Sequence, residues 1–253
     1  MKTQGLISNK ITEFNDISLI NLVIDEATLL LMDVDNTLIE LNQSLGTPGW
    51  FTYFYNKQLE NGATHWEAMR ATVAIYVKIN KLSDVKLIDA KMPLLIKKWQ
   101  EKGIITLGLT SRDNGLFETT IRQLTSVNIN LNFGKFKNKQ LRLKTGDRSK
   151  FQHGIIYAGG MHKGKCLEEF FSLVKWRPKK IVFIDDQIRN LKEVEEISYQ
   201  NSIEYIGFHY CALKNKVAAI NCKIYDIQLE YLNQTNKLLS DQEAEEVLHS
   251  DLN

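Results

Sequence analysis

The segment Leu29-Leu30-Leu31-Met32-Asp33-Val34-Asp35-Asn36-Thr37-Leu38 constrains this chain more than any other. Its apolar run reads as a strand buried on both faces of a parallel sheet, and it stops in two carboxylates one residue apart. At the carboxyl end of such a strand, Asp33 and Asp35 would face the crevice in which open α/β sheets bind their ligands. Two acids there can hold a hard divalent cation and still leave a carboxylate oxygen to attack a substrate. The plainer alternative is that Asp35-Asn36 starts a turn or caps a helix, as short polar residues do.

Lys179-Lys180-Ile181-Val182-Phe183-Ile184-Asp185-Asp186-Gln187 repeats the design, an apolar strand followed by acids. Adjacent carboxylates repel, so a strand ending in Asp185-Asp186 needs a cation or hydrogen-bond donors to compensate it. Between the two, Gly103-Ile104-Ile105-Thr106-Leu107-Gly108-Leu109-Thr110-Ser111-Arg112 is a third apolar strand that ends in hydroxyls. Hydroxyls followed by backbone N–H groups at a helix start form a phosphate cradle. In Met161-His162-Lys163-Gly164-Lys165, Lys163 stands at a predicted helix start, where its ammonium can neutralise a phosphoryl oxygen.

These four elements, in this order, resemble the haloacid dehalogenase superfamily, whose pattern is Asp-x-Asp-x-Thr, a later Thr or Ser, a Lys before a helix and a closing pair of acids. The matching residues are Asp33-Val34-Asp35-Asn36-Thr37, Thr110 with Ser111, Lys163, and Asp185-Asp186. The runs Leu109-Thr110-Ser111-Arg112 and Tyr157-Ala158-Gly159-Gly160 further resemble an uncharacterised branch of bacterial phosphatase-like proteins.

The resemblance implies an α/β fold, a Rossmann-like parallel sheet sandwiched by helices, with a small helical cap inserted after the first core strand. It implies that Asp33 is the nucleophile and Asp35 the general acid and base, while Thr110 and Lys163 grip the phosphoryl oxygens. The implied cofactor is Mg2+, held by Asp33, the backbone carbonyl of Asp35 and the Asp185-Asp186 pair, with the choice between Asp185 and Asp186 left open. Ser111 and Arg112 are expected to bind substrate.

The strands expected on this basis are Thr28 to Asp33, Ile104 to Thr110, Ile181 to Asp185 and Ile203 to Phe208, with the third strand at either Val127 to Leu131 or Gly154 to Tyr157. In the family's strand order the first and fourth are neighbours, which would bring the two acid pairs together. Residues 1–40 and 88–225 are expected to form the core, 41–87 the helical cap and 226–253 a charged helical tail for packing or for a partner. The cap is rich in aromatics, and Phe51, Phe54 and Tyr55 recur at helical spacing as a buried face would. Gly46-Thr47-Pro48-Gly49-Trp50 signals a loop, which makes Trp50 and Phe51 the candidates to stack on an aromatic substrate. A second insertion, Asn128 to Gly160, contains a basic hairpin.

Composition adds exclusions. A chain of 253 residues with 43% apolar content can bury a full core. A formal net charge of +2 gives no reason to expect nucleic-acid binding, although Lys137, Lys139, Arg142, Lys144 and Arg148 form a local basic patch. Cys166, Cys211 and Cys222 show neither metal-ligand spacing nor an even-numbered disulfide framework, so reduced thiols are expected. No stretch reaches the roughly 18 apolar residues of a membrane span. Met1 to Lys10 lacks the apolar core and cleavage site of a signal peptide. A cytoplasmic setting follows, and delivery by a route that needs no such signal is invisible to this reading.

Three functions compete on these grounds. The first is a magnesium-dependent phosphomonoesterase acting on a phosphorylated small molecule or phosphoprotein, the second a nucleotidase, acid-phosphatase-like or phosphotyrosine phosphatase activity, and the third a non-catalytic binding module that keeps the fold.

Overall fold

The computed structural model describes residues 10–213 and 222–250, which divide into two compact units. Their strands are β1 (Lys10–Phe14), β2 (Thr28–Met32), β3 (Ile39–Leu41), β4 (Val85–Leu87), β5 (Ile105–Thr110), β6 (Gln140–Arg142), β7 (Lys150–Gln152), β8 (Ile155–Tyr157), β9 (Lys180–Asp185) and β10 (Glu204–Tyr210). The helices are α1 (Pro48–Glu60), α2 (His65–Leu82), α3 (Met92–Glu101), α4 (Phe117–Ser126), α5 (Lys163–Val174), α6 (Ile188–Gln200), α7 (Cys222–Thr235) and α8 (Asp241–Ser250).

Residues 10–39 and 87–212 form the first unit around an eight-stranded sheet of order β1-β10-β9-β2-β5-β8-β7-β6. The five pairings from β1 to β8 are parallel, and β8-β7 and β7-β6 are antiparallel. Every residue of β2 is buried, as is all of β9 after Lys180, which is why both read as continuous apolar runs. Helices flank the sheet, with α5 packing on β8 and α6 on β9 and β10. The α6 residues Leu191, Val194 and Ile197 recur at helical spacing and are buried.

The α/β expectation holds, and β2 does lie beside β9. Of the two candidates for the third strand, Ile155–Tyr157 pairs with β5, whereas 127–131 is turn and irregular chain. Strand β1 was not foreseen; it pairs in parallel with β10 at one end of the sheet. The basic segment does form a hairpin, with Leu141 opposite Phe151, and it continues the sheet beyond β8. Residues 1–9, on which the reading of the amino terminus rested, lie outside the described residues. Among the described residues no helix is long and apolar enough to cross a membrane.

The second unit consists of residues 40–86 together with residues 213 and 222–250. Strands β3 and β4 pair where the chain enters and leaves its inserted part. Thr64 caps α2 in a reciprocal box with Glu67. Leu45, Trp50, Phe54 and Ile79 share one apolar cluster with Tyr225 and Leu232 of α7. The joint is also polar: the Leu45 N–H donates to Gln228 Oε1 (3.0 Å), and both the N–H and the hydroxyl of Ser44 donate to Asp241. The carboxyl-terminal helices, expected as a separate tail from 226, are thus part of the unit that contains the insertion.

Trp50 requires a correction. The loop signal at Gly46-Thr47-Pro48 marks a helix start, with Thr47 as N-cap and Pro48 at the first turn of α1. Trp50 therefore sits inside that turn, fully buried, with its ring stacked on Phe54 at 5.4 Å between centroids. It has no free face for a substrate. Phe51 is half-buried and meets Trp50 and Tyr76 edge to face.

Candidate active site

Parallel register builds the site. Met32 pairs with Ile184, and the Asp33 N–H donates to the Ile184 carbonyl at 2.9 Å, so Asp33, just past β2, and Asp185, the last residue of β9, lie at the same level. Opposite them, His162 caps α5 by accepting from the Lys165 N–H at 3.2 Å, which makes Lys163 the first helical residue. Gly164 permits close packing there, because a Cβ would collide with the Glu193 carbonyl of α6. The Lys163 N–H also donates to Glu193 Oε2 at 2.7 Å. With its backbone anchored in this way, buried Lys163 sends its ammonium between two carboxylates, 2.6 Å from Asp33 Oδ1 and 2.7 Å from Asp185 Oδ2.

Asp185 is oriented further by the Gln187 N–H at 2.8 Å and by Asn190 Nδ2, which reaches both of its oxygens at 2.9 and 3.1 Å. Asp186 accepts from Gln187 Nε2 at 2.8 Å. Carboxylate oxygens of Asp33, Asp185 and Asp186 all lie within 4.8 Å of one another.

Asp35 occupies a different environment. Both of its oxygens accept from the Arg112 guanidinium, at 2.8 Å from Nε and 2.7 Å from the second terminal nitrogen. The remaining terminal nitrogen of Arg112 donates to Thr120 Oγ1 and Gln123 Oε1. Arg112 was expected to bind substrate; it is instead buried, and its fork is taken up by Asp35 and α4. Thr110 is buried at the end of β5, where its hydroxyl accepts from the Arg112 N–H at 3.1 Å, while Ser111 is exposed. The Thr37 hydroxyl is buried without a hydrogen-bond partner among the described residues.

Burial pushes Asp33 well above the usual carboxylate range; the Lys163 ammonium opposes that shift, and the carboxylates of Asp185, Asp186 and Asp35 add to it. Burial, then the charge of Asp185, push Asp186 up to about 7. Burial disfavours the charge on Lys163, but Asp185 and Asp33 outweigh it and hold the ammonium above the usual lysine range. Three carboxyl groups against one ammonium give an excess of negative charge once the acids ionise, and every ligand atom they offer is a hard oxygen. That set fits magnesium, which favours carboxylate oxygens. The sequence pointed to these acids and to Lys163, but not to Gln187, Asn190, Thr120 or Gln123, whose roles depend on where α6 and α4 bring them.

A family model described as "Protein of unknown function (DUF2608)" matches residues 10–245, nearly the whole chain. The chain belongs to the DUF2608 family. DUF2608 membership names no activity, and the relatives of this chain carry equally general names. A Chlamydia pneumoniae protein called "Putative outer membrane protein" is 27% identical over 220 residues, covering 87% of this chain and 82% of its own length. A Chlamydia muridarum protein of the same name is 30% identical over 185 residues, covering 73% and 69%. An uncharacterised Rickettsia prowazekii protein is 26% identical over 235 residues, covering 89% and 85%. Among solved structures, the DUF2608 chain is similar to a haloacid dehalogenase-like hydrolase of Streptococcus pneumoniae, with a TM-score of 0.45 and 13% identity over 77% of this chain and 99% of the other. A HAD family enzyme of Bacteroides thetaiotaomicron gives 0.39 and 16%, over 70% and 91%.

Proposed function

We propose that this protein is a phosphomonoester hydrolase that works through an aspartyl-phosphate on Asp33. The observation that carries the reading is the convergence of the Asp33, Asp185 and Asp186 carboxylates within 4.8 Å, with the Lys163 ammonium between Asp33 and Asp185. Asp33, Asp185 and Asp186 are the residues that would hold magnesium, which when bound supplies the positive charge that offsets repulsion between a carboxylate and a phosphate.

Lys163 engages Oδ1 of Asp33, and in this reading Oδ2 attacks phosphorus. The P–O bond to the leaving group breaks as the Asp33–phosphorus bond forms, splitting one difficult displacement into two easier ones. Asp35 gives its proton to the departing oxygen, then takes one from the water that attacks the aspartyl-phosphate, so that phosphate leaves and Asp33 is restored. Each Asp35 oxygen keeps a second lone pair while accepting from Arg112, so the guanidinium positions this group without blocking it. Thr110 accepts from Arg112 and keeps its own O–H to donate, and Lys163 has a third N–H beyond those on Asp33 and Asp185. Those two donors are the ones assigned to the phosphoryl oxygens, where charge spreads in the transition state.

The substrate class is a phosphorylated small molecule or a phosphoprotein. The nucleotidase variant loses its motive, because it rested on an aromatic clamp and Trp50 is buried. The cytoplasmic setting is part of the same proposal, and the chlamydial relatives' names make cell fractionation its proper check. One observation favours a second reading, a non-catalytic module: Asp33 and Asp35 are each already held by a buried cation. Hydrolysis of p-nitrophenyl phosphate by the full chain separates the two. Activity that vanishes in chelator, returns with magnesium and is inhibited by calcium supports the enzyme, whereas no turnover across a panel of phosphorylated sugars, nucleotides and phosphopeptides would leave the module.

A further inference from the structure

At the end of the sheet away from the basic hairpin, β1 and β10 run in parallel with Glu13 opposite His209 and Phe14 opposite Tyr210. Residues paired in register share a face of the sheet, as do residues two apart on one strand. Cys211 follows His209 at that interval, and its N–H donates to the Phe14 carbonyl at 3.2 Å, which holds the chain against β1 just past the last strand residue. The Glu13, His209 and Cys211 side chains therefore gather on one side.

Their spacing is specific. His209 Nδ1 lies 3.5 Å from Glu13 Oε1 and 3.5 Å from Cys211 Sγ, and one ligand atom from each of the three residues lies within 4.8 Å of the other two. Zinc bonds of about 2.0–2.3 Å arranged tetrahedrally separate neighbouring ligand atoms by about 3.4–3.6 Å. The other ring nitrogen is fixed as well: His209 Nε2 is 3.0 Å from the Asp186 carbonyl oxygen. A carbonyl only accepts, so Nε2 carries the hydrogen; Cys211 Sγ, 3.5 Å from Nδ1 and 3.9 Å from Nε2, stands beside the ring and comes to the Nδ1 edge by rotation of its side chain. A histidine oriented by a backbone carbonyl through its distal nitrogen is the usual outer support of a metal ligand.

We propose that Glu13, His209 and Cys211 form a binding site for a zinc-class transition metal, separate from the all-oxygen cluster of Asp33, Asp185 and Asp186. Thiolate and imidazole donors select zinc or cobalt over magnesium. Binding replaces the Cys211 S–H proton by the metal and releases that proton to solvent. Three protein ligands leave a fourth position for water or an added ligand. The metal would tie strand β1 to β10. Because the Asp186 carbonyl is the outer partner of His209, it would also set one boundary of the acid cluster.

The test uses the full chain with Co2+ in place of zinc, in excess magnesium so that the oxygen cluster is occupied. A thiolate-to-cobalt charge-transfer absorption is expected in the wild type, displaced by Zn2+, lost in Cys211→Ser and retained in Cys222→Ser and Asp33→Asn. His209→Ala should weaken cobalt binding by at least about tenfold, the loss that even an outer partner's removal causes. Zinc should also protect Cys211 from alkylation in the wild type, with circular dichroism confirming that each variant is folded. Absence of the band in the wild type, its survival in Cys211→Ser, or its loss in Cys222→Ser would each overturn the site.

Discussion

Asp33 and Asp35 stand one residue apart, and each meets a buried cation, but the two cations behave differently. Lys163 is a compact point charge that gives one N–H to each of two carboxylates and keeps a third, so it can turn toward an incoming phosphate. Arg112 offers a rigid fork, gives two prongs to a single carboxylate and is itself pinned by Thr120 and Gln123. Two positions separated by one residue thus divide into an adjustable site around Asp33 and a fixed one around Asp35, which suits a nucleophile that changes partners and an acid that must stay aimed.

The largest effect should come from the adjustable side. Asp33→Asn keeps the volume but removes the attacking oxygen, and magnesium-dependent turnover should fall on the order of 10⁴-fold or more with circular dichroism unchanged; wild-type turnover would take Asp33 out of the mechanism. On the fixed side, Asp35→Asn should cost about 10²–10⁴-fold for alkyl phosphates with poor leaving groups and far less for p-nitrophenyl phosphate. Equal losses for both, with no aspartyl-phosphate trapped by rapid quenching, would make Asp35 structural.

Arg112→Lys keeps the charge and loses the fork. A misaimed acid should lower kcat by about 10²-fold with KM unchanged, whereas a rise in KM would return Arg112 to the role of substrate ligand. The smallest effect concerns stability without metal. Asp33 and Asp186 are held above their ordinary values in the folded state, so folding favours their protonated forms, and stability falls as pH rises from the ordinary carboxylate range through about 7 for Asp186. The melting temperature in chelator should therefore drop between about pH 5 and 8, and magnesium should reduce the drop. A flat profile in chelator would show that Lys163 alone neutralises the cluster.

The central strands were legible because burial on both faces leaves an uninterrupted apolar run, as in Leu29–Met32 and Ile181–Ile184. The third strand was ambiguous because Ile155–Tyr157 is only three residues long. Strand β1 escaped because Lys10-Ile11-Thr12-Glu13-Phe14 carries no such run and is recognisable only from its partner β10. Trp50 was misplaced for a different reason. Gly, Thr and Pro announce a loop and a helix start with the same letters, and only the Thr47 cap decides between them. For Arg112, the position after Thr110 was readable but the direction of its side chain was not. The direction depends on Thr120 and Gln123, eight and eleven residues further on in α4. The Glu13, His209 and Cys211 group was hidden because its members come together through strand pairing, across nearly the whole length of the sheet unit.

The second unit has a consequence for the order in which the protein can be made. Its apolar cluster is drawn from two stretches of chain with the sheet-forming residues between them: Leu45 binds Gln228 across 183 positions, and Ser44 binds Asp241 across 197. During synthesis, every strand of the sheet is made before Tyr225 and Leu232 exist to cover Trp50 and Phe54. Helices α1 and α2 must wait, half-covered, until that later stretch has been translated, and exposed apolar surface of that kind is what draws chaperones and favours aggregation. A ribosome stalled after Ala212 would hold all ten strands and an unfinished second unit. The stretch that carries Tyr225 and Leu232 therefore determines whether the aromatic cluster is completed or left open.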